Sequence, residues 1–106
     1  MEEDLLKIVN HYGINNQLRK FNEECFELNE AILDFEFSKE KFPKQHEIAK
    51  DVALEHIAEE MADVMVLLEQ FKLFYGITIE EITEVFWAKV ARQLERIKNE
   101  TVAKDE

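Results

Sequence analysis

QLRKFNEECFELNEAILD, residues 17–34, combines two helical stripes of different chemistry. Apolar residues recur at alternating steps of three and four, which is typical of the buried face of a helix: Leu18, Phe21, Cys25, Leu28, Ile32 and Phe35. A second stripe with the same rhythm runs beside the first: Gln17, Lys20, Glu24, Glu27 and Ala31. Glu24 and Glu27 are therefore neighbours at the border of the buried face. Because adjacent carboxylates repel and burial disfavours their charged forms, this arrangement favours a bound cation.

A second acidic motif, HIAEEMAD, occupies residues 56–63. An apolar stripe runs through it and beyond: Leu54, Ile57, Met61, Val64, Leu68, Phe71 and Tyr75. Glu60 and Asp63 border this stripe, as Glu24 and Glu27 border the first one. Both acidic pairs are equally distant in sequence from Pro43 and Lys44, where we expect a turn. An antiparallel helical hairpin closing there would bring the four carboxylates to the same height.

Composition predicts an all-α domain covering residues 1–106, a helical bundle of about four helices. The chain has two Gly and one Pro, with 46% apolar and 35% charged residues. We expect the first helix over 2–11 and the second from a cap at Asn15 or Asn16 to about Lys39. The third is expected over 47–75. The fourth is expected to run from a Thr78–Glu81 capping box to a polar tail that begins near Asn99. The stretch 38–45 is the most polar and least periodic, and Pro43 is expected to mark either a break or a fresh helix start there.

The third helix is apolar on more than one face, which indicates burial by several neighbours. A small chain offers too few partners for that surface. The sequence therefore predicts a homodimer or homotetramer, with Val66, Leu67 or Phe74 at a subunit contact.

The net charge of −11 argues against binding to nucleic acid polymers or anionic membranes. With one cysteine, Cys25, an intrachain disulfide is excluded. The acidic start MEEDLLKIV does not resemble a signal peptide, and the apolar run 64–68 is too short to span a bilayer. We expect a soluble, cytoplasmic protein.

Carboxylates at i and i+3 on two helices provide the oxygen ligands that suit Mg²⁺, with Mn²⁺ as a substitute. A di-iron carboxylate bundle would require Glu-x-x-His motifs, but Pro43 and Ala53 lie three residues before His46 and His56. A solvated acidic face is the simpler alternative, and Glu23, on the side away from the seam, fits it best. His56 is either a partner of Glu60 or a plain surface histidine.

The last helix carries the one cationic stripe in this acidic chain: Lys89, Arg92, Gln93 and Arg96. Its simplest role is to offset nearby glutamates and the helix dipole. Its functional role would be to bind substrate phosphates. We predict that these four residues, together with Gln17 and Lys20, form the substrate-binding set.

The motif Glu23-Glu24-x-x-Glu27 followed by Glu60-x-x-Asp63 resembles that of the MazG-like nucleotide pyrophosphohydrolases, which belong to the all-α NTP pyrophosphatase superfamily. The similarity extends from about Gly13 to Ile97. It implies that Glu24, Glu27, Glu60 and Asp63 are Mg²⁺ ligands, that Glu23 supports them in catalysis, and that Lys89 and Arg96 contact phosphates. Gln93 stands where some relatives have an asparagine near the substrate.

The sequence thus predicts an Mg²⁺-dependent enzyme that cleaves a nucleoside triphosphate, NTP or dNTP, to the monophosphate and pyrophosphate. The alternative is a non-catalytic protein of the same fold, either a dimeric helical scaffold or a nucleotide-binding regulator. A third interpretation is an acidic helical partner of a basic protein.

Overall fold

The structure is a computed structural model that describes residues 1–105, with side chains up to Ala103. It contains four helices: α1 (Glu2–Tyr12), α2 (Ile14–Lys41), α3 (Pro43–Tyr75) and α4 (Ile79–Asp105). No strand occurs among residues 1–105. The predicted all-α fold and the number of helices are therefore confirmed.

The junction between α1 and α2 consists of Gly13 alone, with φ at 86°. Glycine adopts this positive φ without the steric penalty that a Cβ would impose, so the chain changes direction in one residue. The Asn cap predicted for α2 is wrong, because Gly13 occupies that position and no side chain caps the helix. The Asn16 amide instead donates a hydrogen bond of 2.8 Å to the Tyr12 carbonyl, at the end of α1.

The junction between α2 and α3 is also a single residue, Phe42, so both helices extend further than predicted. Of the two alternatives for Pro43, the fresh helix start is confirmed. Helical hydrogen bonding continues to the junction on both sides. The Phe42 N–H donates to the Ser38 carbonyl and the His46 N–H donates to the Phe42 carbonyl, each at 2.8 Å. Pro43 opens α3 at the first helical position, where its missing N–H costs no hydrogen bond. The polar composition of this stretch reflects solvent exposure within helices.

The predicted signals between α3 and α4 are confirmed. Gly76 adopts the left-handed conformation, with φ at 68°, just after the last residue of α3. Thr78 Oγ1 then accepts a hydrogen bond of 3.2 Å from the Glu81 N–H, as an N-cap does. The tail that we expected to leave the helix near Asn99 continues α4 to Asp105, and Glu106 lies outside the described residues.

Helices α2 and α3 form the predicted antiparallel hairpin. Near the Phe42 junction, the rings of Phe35 and His46 meet edge to face, with centroids 4.4 Å apart. Toward the other end, Phe21 and Phe71 meet in the same way at 5.4 Å. Among residues 1–103, whose side chains the structure describes, the apolar core is small and has four buried members: Val9, Ala31, Ile57 and Leu67.

The chain divides into two compact units, the first over Met1–Phe74 and the second starting at Tyr75. The second unit contains α4, whose apolar side chains are extensively exposed: Ile82, Val85, Phe86, Trp87, Leu94 and Ile97. The single domain predicted over residues 1–106 stays a prediction. Across residues 1–105, no helix has both the length and the apolar character that crossing a bilayer requires.

Candidate metal centre

Three carboxylates from α2 and α3 converge in the middle of the hairpin. Glu24, Glu60 and Asp63 each present one oxygen, and these oxygens lie within 4.8 Å of one another. Glu24 and Glu60 are half-buried, whereas Asp63 is exposed. The antiparallel packing places Glu24 opposite the Glu60–Asp63 turn because the two motifs are equally distant from the Phe42 junction. The site therefore has two enclosed ligands and one that faces water.

Two oxygens of this group have no hydrogen-bond partner. Glu24 Oε2 and Glu60 Oε2 are both buried and unpaired. A buried polar atom without a partner loses its hydration free energy without compensation, and the loss is larger for a charged group. Two such oxygens at one place are the pattern expected where a cation completes the site.

The pKa of Glu24 is raised above its ordinary value of 4.5. Burial is the largest cause, because it disfavours the ionised form, and the negative charges of Glu27, Asp63 and Glu60 add to it. A cation among these groups would act in the opposite direction, since it favours the ionised carboxylate.

Glu27 and Glu23 differ from the three converging residues. Glu27 is exposed and is not part of the group whose oxygens lie within 4.8 Å, although its negative charge contributes to the raised pKa of Glu24. Its predicted role as a ligand stays a prediction. Glu23 is exposed, and its supporting role also stays a prediction.

His56 contacts the acidic group from one turn earlier on α3. Its Nε2 lies 4.0 Å from Glu60 Oε1, and its side chain is 58% exposed. This separation is too long for a hydrogen bond, but it allows an ion pair when the imidazole is protonated. Both alternatives that the sequence left for His56 therefore remain open.

Gln17, a predicted substrate-binding residue, is buried in the hairpin. Its Nε2 donates a hydrogen bond of 2.8 Å to Oε1 of Gln70, and the two residues are 5% and 2% exposed. This contact joins α2 to α3 two helical turns from the acidic group. The sequence analysis missed Gln70, although the signal was present: Gln17 and Gln70 are placed about the turn as symmetrically as Glu24 and Asp63 are.

The other predicted substrate-binding residues are all exposed: Lys20 on α2, and Lys89, Arg92, Gln93 and Arg96 on α4. Their exposure leaves them accessible to a ligand. Their roles stay predictions.

The donor set suits a hard divalent cation. All three converging ligands supply carboxylate oxygen, and no histidine or cysteine among the described residues belongs to the group. Mg²⁺ is held by few carboxylates and keeps several waters, so a site with one open side matches its requirements. The residues present therefore fit Mg²⁺ or Mn²⁺ better than a thiolate- or imidazole-binding metal.

Comparison of the chain with protein-family models, with curated proteins and with solved structures finds no match. The resemblance to MazG-like enzymes accordingly depends on the acidic motifs and on the last helix.

Proposed function

We propose that the protein is an Mg²⁺-dependent nucleoside triphosphate pyrophosphohydrolase, which cleaves an NTP or dNTP to the monophosphate and pyrophosphate. The observation that carries the proposal is the pair of buried, unpaired oxygens, Glu24 Oε2 and Glu60 Oε2, in a group with Asp63. Such a group is electrostatically unfavourable by itself, and a divalent cation would stabilise it. An acidic protein with this site can bind a polyphosphate only if a cation separates the two negative charges.

The half-buried ligands and the exposed ligand would have different roles. Glu24 and Glu60 would hold the ion in a fixed position, because their surroundings restrict their motion. Asp63 is exposed, so it lies where the ion would meet water and substrate. Mg²⁺ bound here would neutralise phosphate charge and lower the pKa of a water molecule. Glu27 supplies further negative charge next to Glu24.

The cationic residues of α4 would act on the phosphates. Lys89 and Arg96 are exposed and offer the hydrogen-bond donors that phosphate oxygens accept. Contacts of this kind stabilise the negative charge that accumulates on the departing pyrophosphate.

A product analysis tests the proposal. The protein is incubated with Mg²⁺ and each common NTP and dNTP, and phosphate and pyrophosphate are detected separately. We expect pyrophosphate and the monophosphate, with no phosphate released first. Glu60→Gln should abolish the activity, whereas Glu59→Gln, which removes the same charge from an exposed neighbour, should retain it. Mg²⁺-dependent nucleotide binding without turnover would favour the nucleotide-binding regulator instead.

We also propose that the protein assembles into a homodimer or homotetramer. The support is the extent of exposed apolar surface on both compact units, including Val66 at 45% and Trp87 at 61% exposed. Water-exposed apolar patches of this kind mark interaction surfaces. Leu67, one of the three residues predicted at a subunit contact, is no longer a candidate, because it is 2% exposed and already buried within one chain.

A further inference from the structure

A cavity adjoins the acidic group on the side facing the Phe42 junction. It has a volume of about 160 Å³ and lies between α2 and α3. His56 lines it and is also the residue whose Nε2 lies 4.0 Å from Glu60 Oε1. Ala31, one turn beyond Glu27, lines the same cavity. The cavity therefore begins where the acidic group ends.

The opposite direction along the hairpin is closed. There the hydrogen-bonded Gln17 and Gln70 are buried, Leu67 is 2% exposed, and Phe21 packs against Phe71. Along the groove between the two helices, the cavity side is therefore where a group attached to phosphates at the acidic centre finds space.

Small residues on both helices create this space. Ala31 on α2 and Ala49 and Ala53 on α3 line the cavity where longer aliphatic side chains would fill it. Elsewhere in the hairpin, leucine, isoleucine and phenylalanine occupy the seam. The cavity thus results from the local sequence, and one enlarged side chain would close it.

The walls combine an aromatic surface with hydrogen-bonding groups. Phe35 and His46 meet edge to face at 4.4 Å, and both line the cavity. Asp34 adds a carboxylate acceptor and Ser38 adds a hydroxyl. An adjoining cavity of about 270 Å³ shares Phe35 and His46 as lining residues. Small-molecule pockets characteristically pair aromatic walls with a few polar groups in this way.

We propose that this cavity, of about 160 Å³, binds the base of a nucleoside triphosphate whose phosphates lie at the acidic centre. The aromatic pair would contact the face of the base, and Asp34 would accept hydrogen bonds from N–H groups on its edge. This inference rests on the proposed function and adds to it the place where the base is recognised. The lining residues of this cavity include one carboxylate and no lysine or arginine, whereas Lys39 and Lys50 line the adjoining cavity. A neutral heterocycle therefore suits the smaller cavity better than a further phosphate.

The test is isothermal titration in Mg²⁺ with two kinds of probe. One kind comprises the α,β-methylene analogues of ATP, GTP, CTP and UTP, in which the bond between the α- and β-phosphates cannot be hydrolysed. The other is inorganic tripolyphosphate, which has the phosphates without a nucleoside. Ala53→Leu fills the cavity, and Ala58→Leu makes the same change at an exposed position of α3 outside it. Asp34→Asn removes the acceptor charge without changing the volume, and Asp51→Asn is its control.

Ala53→Leu should weaken the binding of the tightest analogue by about 10-fold or more, as steric conflicts in a substrate pocket do. Asp34→Asn should weaken it too, while tripolyphosphate binding stays unchanged in both variants and both controls resemble the parent. If circular dichroism shows that Ala53→Leu is misfolded, Asp34→Asn decides alone. Unchanged analogue binding in the folded variants would overturn this inference and leave the proposed function standing. If neither kind of probe binds to the parent, the proposed function fails and the inference fails with it.

Discussion

Replacing Glu60 by glutamine should remove most of the stabilisation that Mg²⁺ gives to the folded protein. In the absence of a cation, oxygens of Glu24 and Glu60 lie within 4.8 Å of each other. At that separation, two ionised carboxylates repel by roughly 3 kcal/mol for an effective dielectric constant of about 20. The substitution removes one charge of the pair but leaves a side chain of similar shape. We therefore expect the metal-free variant to melt no lower than the parent.

The response of the parent to Mg²⁺ follows from mass action on the folded state. At about 100 times the dissociation constant, a ligand that binds only the folded form stabilises it by about 2.7 kcal/mol. For a domain of this size each kcal/mol raises Tm by roughly 4–8 °C, so the expected rise is on the order of 10–20 °C. Glu60→Gln should lose most of it, because the ion would lose one of its two half-buried ligands.

Differential scanning fluorimetry across an Mg²⁺ series, at fixed protein concentration, measures this effect. Sodium chloride at matched ionic strength separates ion binding from charge screening, which affects exposed charges throughout the molecule. Glu59→Gln is the matched control, because it removes an exposed carboxylate from the neighbouring position. Equal Mg²⁺ responses in Glu60→Gln and Glu59→Gln would refute the assignment of Glu60 as a ligand.

Further predictions concern protonation, turnover and assembly. Because the folded-state pKa of Glu24 is raised above 4.5, the metal-free protein should lose stability as the pH rises from that value through the raised pKa. A Glu24→Gln variant that shows the same loss in pH-dependent melting would contradict this. Asp63→Asn should lower kcat by ~10²-fold or more, whereas Lys89→Ala should mainly raise KM; steady-state kinetics at saturating Mg²⁺ distinguishes the two effects. Sedimentation should give a species larger than the 12.6 kDa chain, and Val66→Glu should reduce its size; a monomeric parent would rule the assembly out.

Hydrophobic periodicity was sufficient to predict the hairpin and the carboxylates that it brings together. The three-and-four rhythm fixed the faces of α2 and α3, and the equal spacing of Glu24 and Asp63 from the turn fixed their relative height. The same rhythm could not identify the start of α2. Gly13 occupies the N-cap position with a positive φ, and no side chain makes the hydrogen bond that usually caps a helix. Nor could it show that 38–45 is mostly helical, since polarity marks exposure as well as loops.

Two features of the site depend on contacts between the helices, so periodicity alone could not reveal them. The stripes of α3 do not show which apolar face meets α2, and Leu67 was therefore assigned to a subunit contact although it is buried within one chain. Gln17 has the position of a site residue, but its amide is bonded to Gln70. A polar residue on a stripe beside acidic groups can thus join two helices as readily as it can bind a substrate.

The Gln17–Gln70 contact also indicates how the acidic group keeps its geometry. A hydrogen bond of this kind contributes about 0.5–1.5 kcal/mol, and the Phe21–Phe71 contact adds a similar amount beyond its buried area. Each of these is smaller than the repulsion of roughly 3 kcal/mol between two ionised carboxylates at the centre. These two contacts together therefore do little more than offset the repulsion, which a positive charge at the centre would remove. At low pH that charge is the proton on Glu24, whose raised pKa favours it. At higher pH a divalent cation would replace it, so a proton and the metal should compete for the buried oxygen of Glu24.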